Sequence, residues 1–399
     1  MKKLIWYGPP YSYSGYGVHN RSMIFELIKL GWNIKLIPTE NHIPSELIGK
    51  DLLLRLNKIN NISPTDTITI NLVPPTAVPS YSAYTILYTT LESKTVHPGY
   101  LNRCKLYDEV WVPCLVNYKS MLKSGYPRNR LYYCPEGVYS GFWNPDAVPH
   151  PKYKSPLFTF FFNGDWSYRK GIDILIRAYA KAFLPSDPVR LLLLVHYQGN
   201  CKEVSERVII SELQSLCLKY NIKQLPKIDF IFDHIPDDQL PNIYTCSDIY
   251  VSPTRGEAWG LPIIQALSCS VPAIVPKWGG HMDFCNNNNS FLSSIDDFDI
   301  IHDKVNLTVD FYWDQLFCFP NLNHFTKLMR YAFSHPDECK KKGISARKYI
   351  LDNFQWSNSA KIAERRLLKI YESRYFAAHS KSLQMDKRMY TDFREIYTT

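Results

Sequence analysis

The sequence has no uninterrupted apolar run near the length of about 18 residues that a membrane-crossing helix requires, so no segment reads as a span. Its ten cysteines stand singly, without a C-x-x-C pair. That pattern excludes the usual zinc spacings and a small disulfide-stapled scaffold, and fits reduced thiols in a reducing compartment. The opening MKKLIWYGPP has only about four apolar residues before Gly8, short of the core of a signal peptide, which sets the expectation of a cytoplasmic protein. Acidic residues are outnumbered, 37 against 46 Lys and Arg, for a net charge of +9, which favours anionic partners such as nucleotides, nucleic acid or a lipid surface.

What is present is length and alternation. At 399 residues and 45% hydrophobic, the chain exceeds one ordinary core and predicts two domains. KLIWYG (3–8) is an apolar run of strand length; HNRSMIFELIKLG places Met23, Ile24, Leu27, Ile28 and Leu30 at helical spacing and stops at Gly31; WNIKLIP resumes as a strand. TITINLVP (67–74), YTILYTT (84–90) and DEVWVP (108–113) continue a parallel-strand pattern. After the Gly- and Pro-rich stretch 136–156, read as a linker, the alternation restarts with LFTFFFNG, VRLLLLVHY, KIDFIFD, DIYVSP and VPAIVP. The expected architecture is α/β: two Rossmann-like, doubly wound domains, 1–145 and 146–360, facing one another across a cleft. Residues 361–399 are expected to form a C-terminal helix and tail that cross back to the first domain.

The densest chemistry lies in RGEAWGLPIIQALSCSVPAIV (255–275). Strand DIYVSP ends at the carboxyl edge of its sheet, where doubly wound folds bind ligands. The loop that follows leads into a helix starting near Pro262, and a helix start offers free N–H groups and a positive dipole end to an anion or a polyol. Glu257 supplies a carboxylate acceptor, and Gln265 lies one to two turns into the helix, near the same cleft.

These segments resemble the glycogen-synthase-like family of retaining, nucleotide-sugar-dependent glycosyltransferases with the GT-B fold. The family signature is a Glu, seven residues and a second Glu around a G-F-G-L-P core; here EAWGLPIIQ runs from Glu257 to Gln265. The resemblance extends through DDQLPNIYTCSDIYVSPTRGEAWGLP, ALSCSVPAIVPKWGG, NGDWSYRKGIDILIRAYAKAF, DEVWVPCLVNYKSMLKSGY and CPEGV, and so over nearly the whole chain except the last twenty or so residues. It implies that Glu257 holds hydroxyls of the transferred sugar, and that backbone N–H groups around Trp259, Gly260 and Leu261 meet sugar and diphosphate. Gln265 stands where the family's second acid binds the ribose diol, which places nucleotide choice in question.

Other stretches complete the expected site. FFFNGDWSYRKG ends a strand at Asn163-Gly164 and puts Arg169 and Lys170 at the sheet edge, where two cations would neutralise a departing diphosphate. The family's first cation is replaced here by Asp165, with Arg169 as its neighbouring substitute. In PPYSYSGYGVHNRS, Gly15, Tyr16 and Gly17 resemble the family's glycine-rich loop near donor sugar and acceptor, with Tyr11 and Tyr13 as acceptor-lining candidates. A nicotinamide or flavin fingerprint is disfavoured, because its third glycine falls on Asn20. His19 reads as an ordinary helix residue. Glu92 and His97, in YTTLESKTVHPGY, are candidates for binding the sugar or drawing the acceptor proton. Gly279, Gly280 and His281, in GGHMDF, are placed near the phosphates. DFD at 297–299 imitates a metal motif and is discounted, since the fold needs no metal; NNNN at 286–289 reads as a polar loop.

The resulting expectation is a retaining transferase that moves a sugar from a UDP- or GDP-linked donor to an acceptor hydroxyl, without a metal or other cofactor. Two rivals stand beside it: a viral-type enzyme adding sugars to hydroxymethylated DNA bases, suggested by the charge and by YPRNR and DKRMYTDFR, and a non-catalytic sugar-nucleotide-binding protein.

Overall fold

The computed structural model describes residues 2–74, 82–301, 310–373 and Phe376. The first sheet contains β1 (Lys3–Gly8), β2 (Asn33–Pro38), β3 (Ile68–Leu72), β4 (Tyr84–Tyr88), β5 (Glu109–Val112) and β6 (Leu131–Tyr133), in spatial order β2-β1-β3-β4-β5-β6. The second contains β7 (Phe158–Asp165), β8 (Val189–His196), β9 (Ile228–Ile231), β10 (Ile249–Val251), β11 (Ala273–Pro276) and β12 (Ser290–Ser293), in order β12-β11-β10-β7-β8-β9. Every neighbouring pair in both sheets is parallel. These are two doubly wound Rossmann-like halves. β3 and β4 are buried at every position, as apolar runs without alternation require when helices cover both faces.

Strand order reverses between β1 and β3 in the first sheet and between β7 and β10 in the second. Loops leaving the carboxyl ends of strands at such a reversal diverge to opposite faces and leave a crevice. The segment Trp166–Gly171 follows β7, and the segment from Ser252 to Gly260 follows β10. The two loops rich in chemistry therefore meet at one switch point.

The chain crosses between halves twice. After β6 it runs to β7, and near the end Val138 bridges Gln355 just before the helix Trp356–Tyr371. That helix is amphipathic, and Trp356, Ala360, Ala363, Leu367 and Ile370 share one core with Leu4, Trp6 and Met23 of the first half. Arg366 clamps it with Nε 2.9 and 3.0 Å from the two carboxylate oxygens of Glu109. The tail from 377 onward, including DKRMYTDFR, lies outside the described residues.

Four strands are not foreseen from the sequence because each is short or flanked by polar residues: β6, β12, and the antiparallel pair β13 (Ile295–Ile300) and β14 (Leu316–Pro320). The DFD triplet is part of β13, so its alternation reflects a strand with an exposed edge.

Candidate active site

A cavity of about 770 Å³ opens between the halves, lined from the first by Tyr16, His19, Thr90, Glu92 and Glu136 and from the second by Gly164, Asp165, Arg169, Lys170 and residues 257–262. Its floor is set by the loop after β10. Gly260 caps the helix Leu261–Ser268 with φ of 101°, a left-handed conformation that glycine adopts without steric cost, and Pro262 occupies the first turn. Trp259 packs its ring against Phe284 and Phe354, which fixes the loop from beneath. Its indole Nε1 is buried with no partner among the described residues.

Glu257 is 9% exposed, and its Oε1 lies 2.5 Å from Lys170 Nζ. Burial by itself would raise the carboxyl, yet Lys170, Arg169 and the Lys170 hydrogen bond outweigh it and hold Glu257 below the usual carboxylate range. An ionised, desolvated acceptor results, suited to ligand hydroxyls. Arg169 reaches between the halves: Nη1 donates to the Gly256 carbonyl at 2.7 Å and lies 3.9 Å from Glu92 Oε1. Burial pushes Glu92 up, opposed by Arg169 and reinforced by Glu257, and its Oε2 has no partner among the described residues. Two carboxyls from opposite halves thus share a pair of cations.

The loop is also pinned from behind. Arg255 makes a two-pronged contact to Asp173, at 2.7 and 2.8 Å, and stacks 3.6 Å from the Tyr168 ring centroid. This buried pair carries the positions next to Glu257 and Lys170 alike. No local pattern in the sequence singles out Arg255, because its partner Asp173 stands 82 positions away.

Gln265 is 9% exposed and lines the cavity. Its Oε1 accepts from Tyr244 Oη at 3.1 Å, and Tyr244 Oη in turn accepts from Asn163 Nδ2 at 3.0 Å. Asp165 is likewise engaged: Oδ1 accepts from the Gln198 backbone N–H at 2.8 Å and lies 3.9 Å from His196 Nε2.

Several expected residues are placed differently. Gly15, Tyr16 and Gly17 form the first turn of the helix Gly15–Lys29, capped by Ser14, instead of a loop. The helix begins earlier than the apolar spacing suggested because Ser14 accepts the Gly17 N–H at 3.3 Å. Gly15 and Tyr16 line the cavity; Gly17 packs against the Ser12 carbonyl instead. Gly280 sits behind the loop, its N–H donating to the Glu257 carbonyl at 2.7 Å, and is not a cavity wall. His97 caps the helix Pro98–Cys104, accepting from the Gly99 N–H at 3.0 Å, and packs beside Phe311 instead of lining the cleft. Tyr13 lines the cleft and stacks near His234 of the second half, with centroids 4.5 Å apart, whereas Tyr11 is buried outside it. The histidine of the first half that does line the cleft is His19, 2% exposed, with Nδ1 3.3 Å from Glu136 Oε1. No local motif marks that pairing, since the two residues stand 117 positions apart.

Comparison with known proteins adds a partial family match and a fold. Residues 149–309 match the family model described as glycosyl transferases group 1. A D-inositol 3-phosphate glycosyltransferase of Segniliparus rotundus is 30% identical over 111 residues, 28% of this chain and 23% of that protein. A mannosylfructose-phosphate synthase of Agrobacterium fabrum is 27% identical over 117 residues, 29% of this chain and 25% of that protein, so the matched stretch spans about a quarter of each of these relatives. Among solved structures, a sucrose-phosphate synthase from Thermosynechococcus elongatus superposes with a TM-score of 0.65 at 15% identity, covering 93% of this chain and 100% of that one. Anabaena HepE in complex with UDP and glucose superposes with a TM-score of 0.62 at 12% identity, covering 92% and 99%. The structural likeness establishes the GT-B arrangement of two facing Rossmann-like halves.

Proposed function

We propose that this protein, which matches the glycosyl transferases group 1 model over residues 149–309, is a retaining glycosyltransferase using a nucleoside diphosphate sugar, UDP- or GDP-linked, in the cytoplasm. The observation that carries the reading is the Glu257–Lys170 pair beside the helix start at Gly260, with Arg169 next to it and Glu92 of the other half facing it across one cavity. Glu257 accepts hydroxyls of the transferred sugar. Arg169, Lys170 and the N–H groups at the start of the helix Leu261–Ser268 receive the diphosphate, where negative charge grows as the glycosidic bond breaks. The amide of Gln265 meets the ribose. These groups supply the charge neutralisation from side chains, so the reading requires no metal. UDP bound to HepE supports a uridine nucleotide as the first donor to try.

The acceptor enters from the first half, past Glu92, Glu136 and Tyr16. Its oxygen bonds to the anomeric carbon on the face the phosphate leaves, the carbon–phosphate oxygen bond breaks, and the acceptor proton passes to the departing phosphate. The acidic side chains on this wall favour a hydroxyl of a glycan or lipid-linked glycan over the phosphate-lined groove of DNA. Incubation with a panel of UDP- and GDP-hexoses tests the reading. Sugar release or transfer with retained anomeric configuration by NMR is expected; an inverted product would remove the retaining assignment, and binding without turnover would leave a sugar-nucleotide-binding protein.

A further inference from the structure

Asp283 belongs to the second half but is bonded to the first. Its carboxylate accepts the Leu115 N–H at 3.0 Å through Oδ2 and the Tyr133 hydroxyl at 3.0 Å on the same oxygen. Leu115 opens the helix Leu115–Lys123, so a carboxylate of one half caps a helix of the other. Two residues on, Asn117 is bound to Leu91 in both directions: Oδ1 accepts the Leu91 N–H at 3.1 Å and Nδ2 donates to the Leu91 carbonyl at 2.6 Å. Leu91 directly precedes Glu92.

The other end of the connection reaches Glu257. Asp283 ends the short 3-10 helix Gly280–Asp283, whose first N–H donates to the Glu257 carbonyl at 2.7 Å. A methyl group on Gly280 would lie 2.0 Å from the Ala258 carbonyl, so this turn and the Glu257 loop move together. One carboxylate therefore joins the backbone beneath Glu92 to the backbone beneath Glu257 through hydrogen bonds linked by short stretches of chain.

We propose that Asp283 is a positioning residue that sets Glu92 of the first half against Glu257 of the second, so that the two acids reach their working separation only when Asp283 holds the Leu115 N–H and the Tyr133 hydroxyl. The inference rests on the glycosyltransferase reading of this cleft. Asp283 touches neither substrate; it fixes the distance between groups that do, and misplacement of such groups by about 1 Å costs on the order of a hundredfold in rate.

Four variants test it: Asp283→Ala, Asp283→Asn, Tyr133→Phe and Leu115→Pro. The last replaces the N–H that Asp283 accepts with a ring carbon, at a first helical position that tolerates proline, and so breaks the contact from the other side. Calorimetric titration with UDP and GDP is combined with kcat and KM for hydrolysis of the donor sugar the wild type accepts. Asp283→Ala and Leu115→Pro are expected to lower kcat about tenfold or more while nucleotide affinity stays within about threefold, Tyr133→Phe, which loses one of the two donors, to lower kcat by less, and Asp283→Asn, whose amide can still accept from Leu115, to recover most of the rate. Folded Asp283→Ala or Leu115→Pro protein with wild-type kcat overturns the inference, as does Asp283→Asn no better than Asp283→Ala. Wild-type protein that binds no nucleotide and releases no sugar defeats the underlying functional reading, and the inference with it, a result distinct from altered variants of an active enzyme.

Discussion

Gly256 of the second half lies directly against the backbone of Glu92 in the first: a methyl group at Gly256 would stand 2.2 Å from the Glu92 carbonyl oxygen. The neighbour is backbone and cannot rotate away, so Gly256→Ala must push the halves apart or displace the Glu257 loop. Because Arg169 binds the Gly256 carbonyl and lies near Glu92, that displacement falls on the cations as well. The substitution is expected to reduce kcat/KM at least about tenfold with a small change in melting temperature. Wild-type kinetics in Gly256→Ala would show that the halves work at a wider separation than this structure has.

The Glu257–Lys170 pair gives a second prediction. Glu257→Gln keeps the shape but leaves Lys170 facing a neutral amide, and removes the ionised acceptor for the sugar. A loss of on the order of a hundredfold in kcat is expected, with nucleotide affinity nearly unchanged. Lys170→Met is expected to weaken nucleotide binding as well, since it removes a cation facing the diphosphate and leaves Glu257 buried without its partner. Calorimetry beside steady-state hydrolysis separates the two. Equal effects of both variants on nucleotide affinity would argue that Glu257 also contacts the nucleotide.

How much of this was legible beforehand depends on sequence distance. Strands β1, β4, β7 and β8 were legible because burial on both faces writes an unbroken apolar run. The loops around Lys170 and Glu257 were legible because strand end, glycine and helix start are adjacent in each. Their pairing across 87 residues was not, because only the strand order brings those loops together, nor was Glu92 meeting Arg169, which depends on how the two halves pack. His97 was a candidate because the resemblance implies a histidine of the first half near the sugar, yet the Pro98–Gly99 turn beside it makes it a helix cap. His19 reads as a helix face until Glu136 folds onto it. Trp356–Tyr371 was legible as a helix, while the face it covers depends on two crossings between halves.

The third prediction concerns Gln265. Its Oε1 already accepts the Tyr244 hydroxyl, so the amide N–H₂ is the group left for a ligand. Gln265→Glu would retain the Tyr244 bond through one oxygen and offer the other, charged, to hydroxyl donors of a ribose. Charge-assisted bonds exceed neutral ones by roughly 1 kcal/mol, so nucleoside diphosphate affinity should tighten by about fivefold. Calorimetry with UDP and GDP on both proteins is the measurement. Weaker binding would mean that the ligand presents an acceptor at this position, and unchanged binding that Gln265 does not meet the ribose.

The last prediction follows from the pH behaviour of Asp283, whose surroundings are known from both halves. Burial raises its carboxyl, the Leu115 N–H, the Tyr133 hydroxyl and the Lys119 ammonium oppose the rise, and the balance leaves it pushed up to about 6 from an ordinary 3.8. A carboxyl raised in the folded state binds more protons folded than unfolded between those two values, so its linkage runs opposite to that of a salt-bridged acid. The charged form costs stability in full above about pH 6, and the cost is relieved as pH falls from about 6 towards 4. Two units correspond to at most about 3 kcal/mol, reduced by the part of the side chain that water still reaches. Asp283→Asn removes the ionisation while keeping an acceptor for Leu115. The variant should therefore melt at or above the wild-type temperature at pH 7.5, and the wild type should gain on it as the pH is lowered to 5. Thermal unfolding of both proteins across that range is the check, and a wild type that loses ground to Asp283→Asn on acidification would show instead that the charged carboxylate strengthens the junction between the halves.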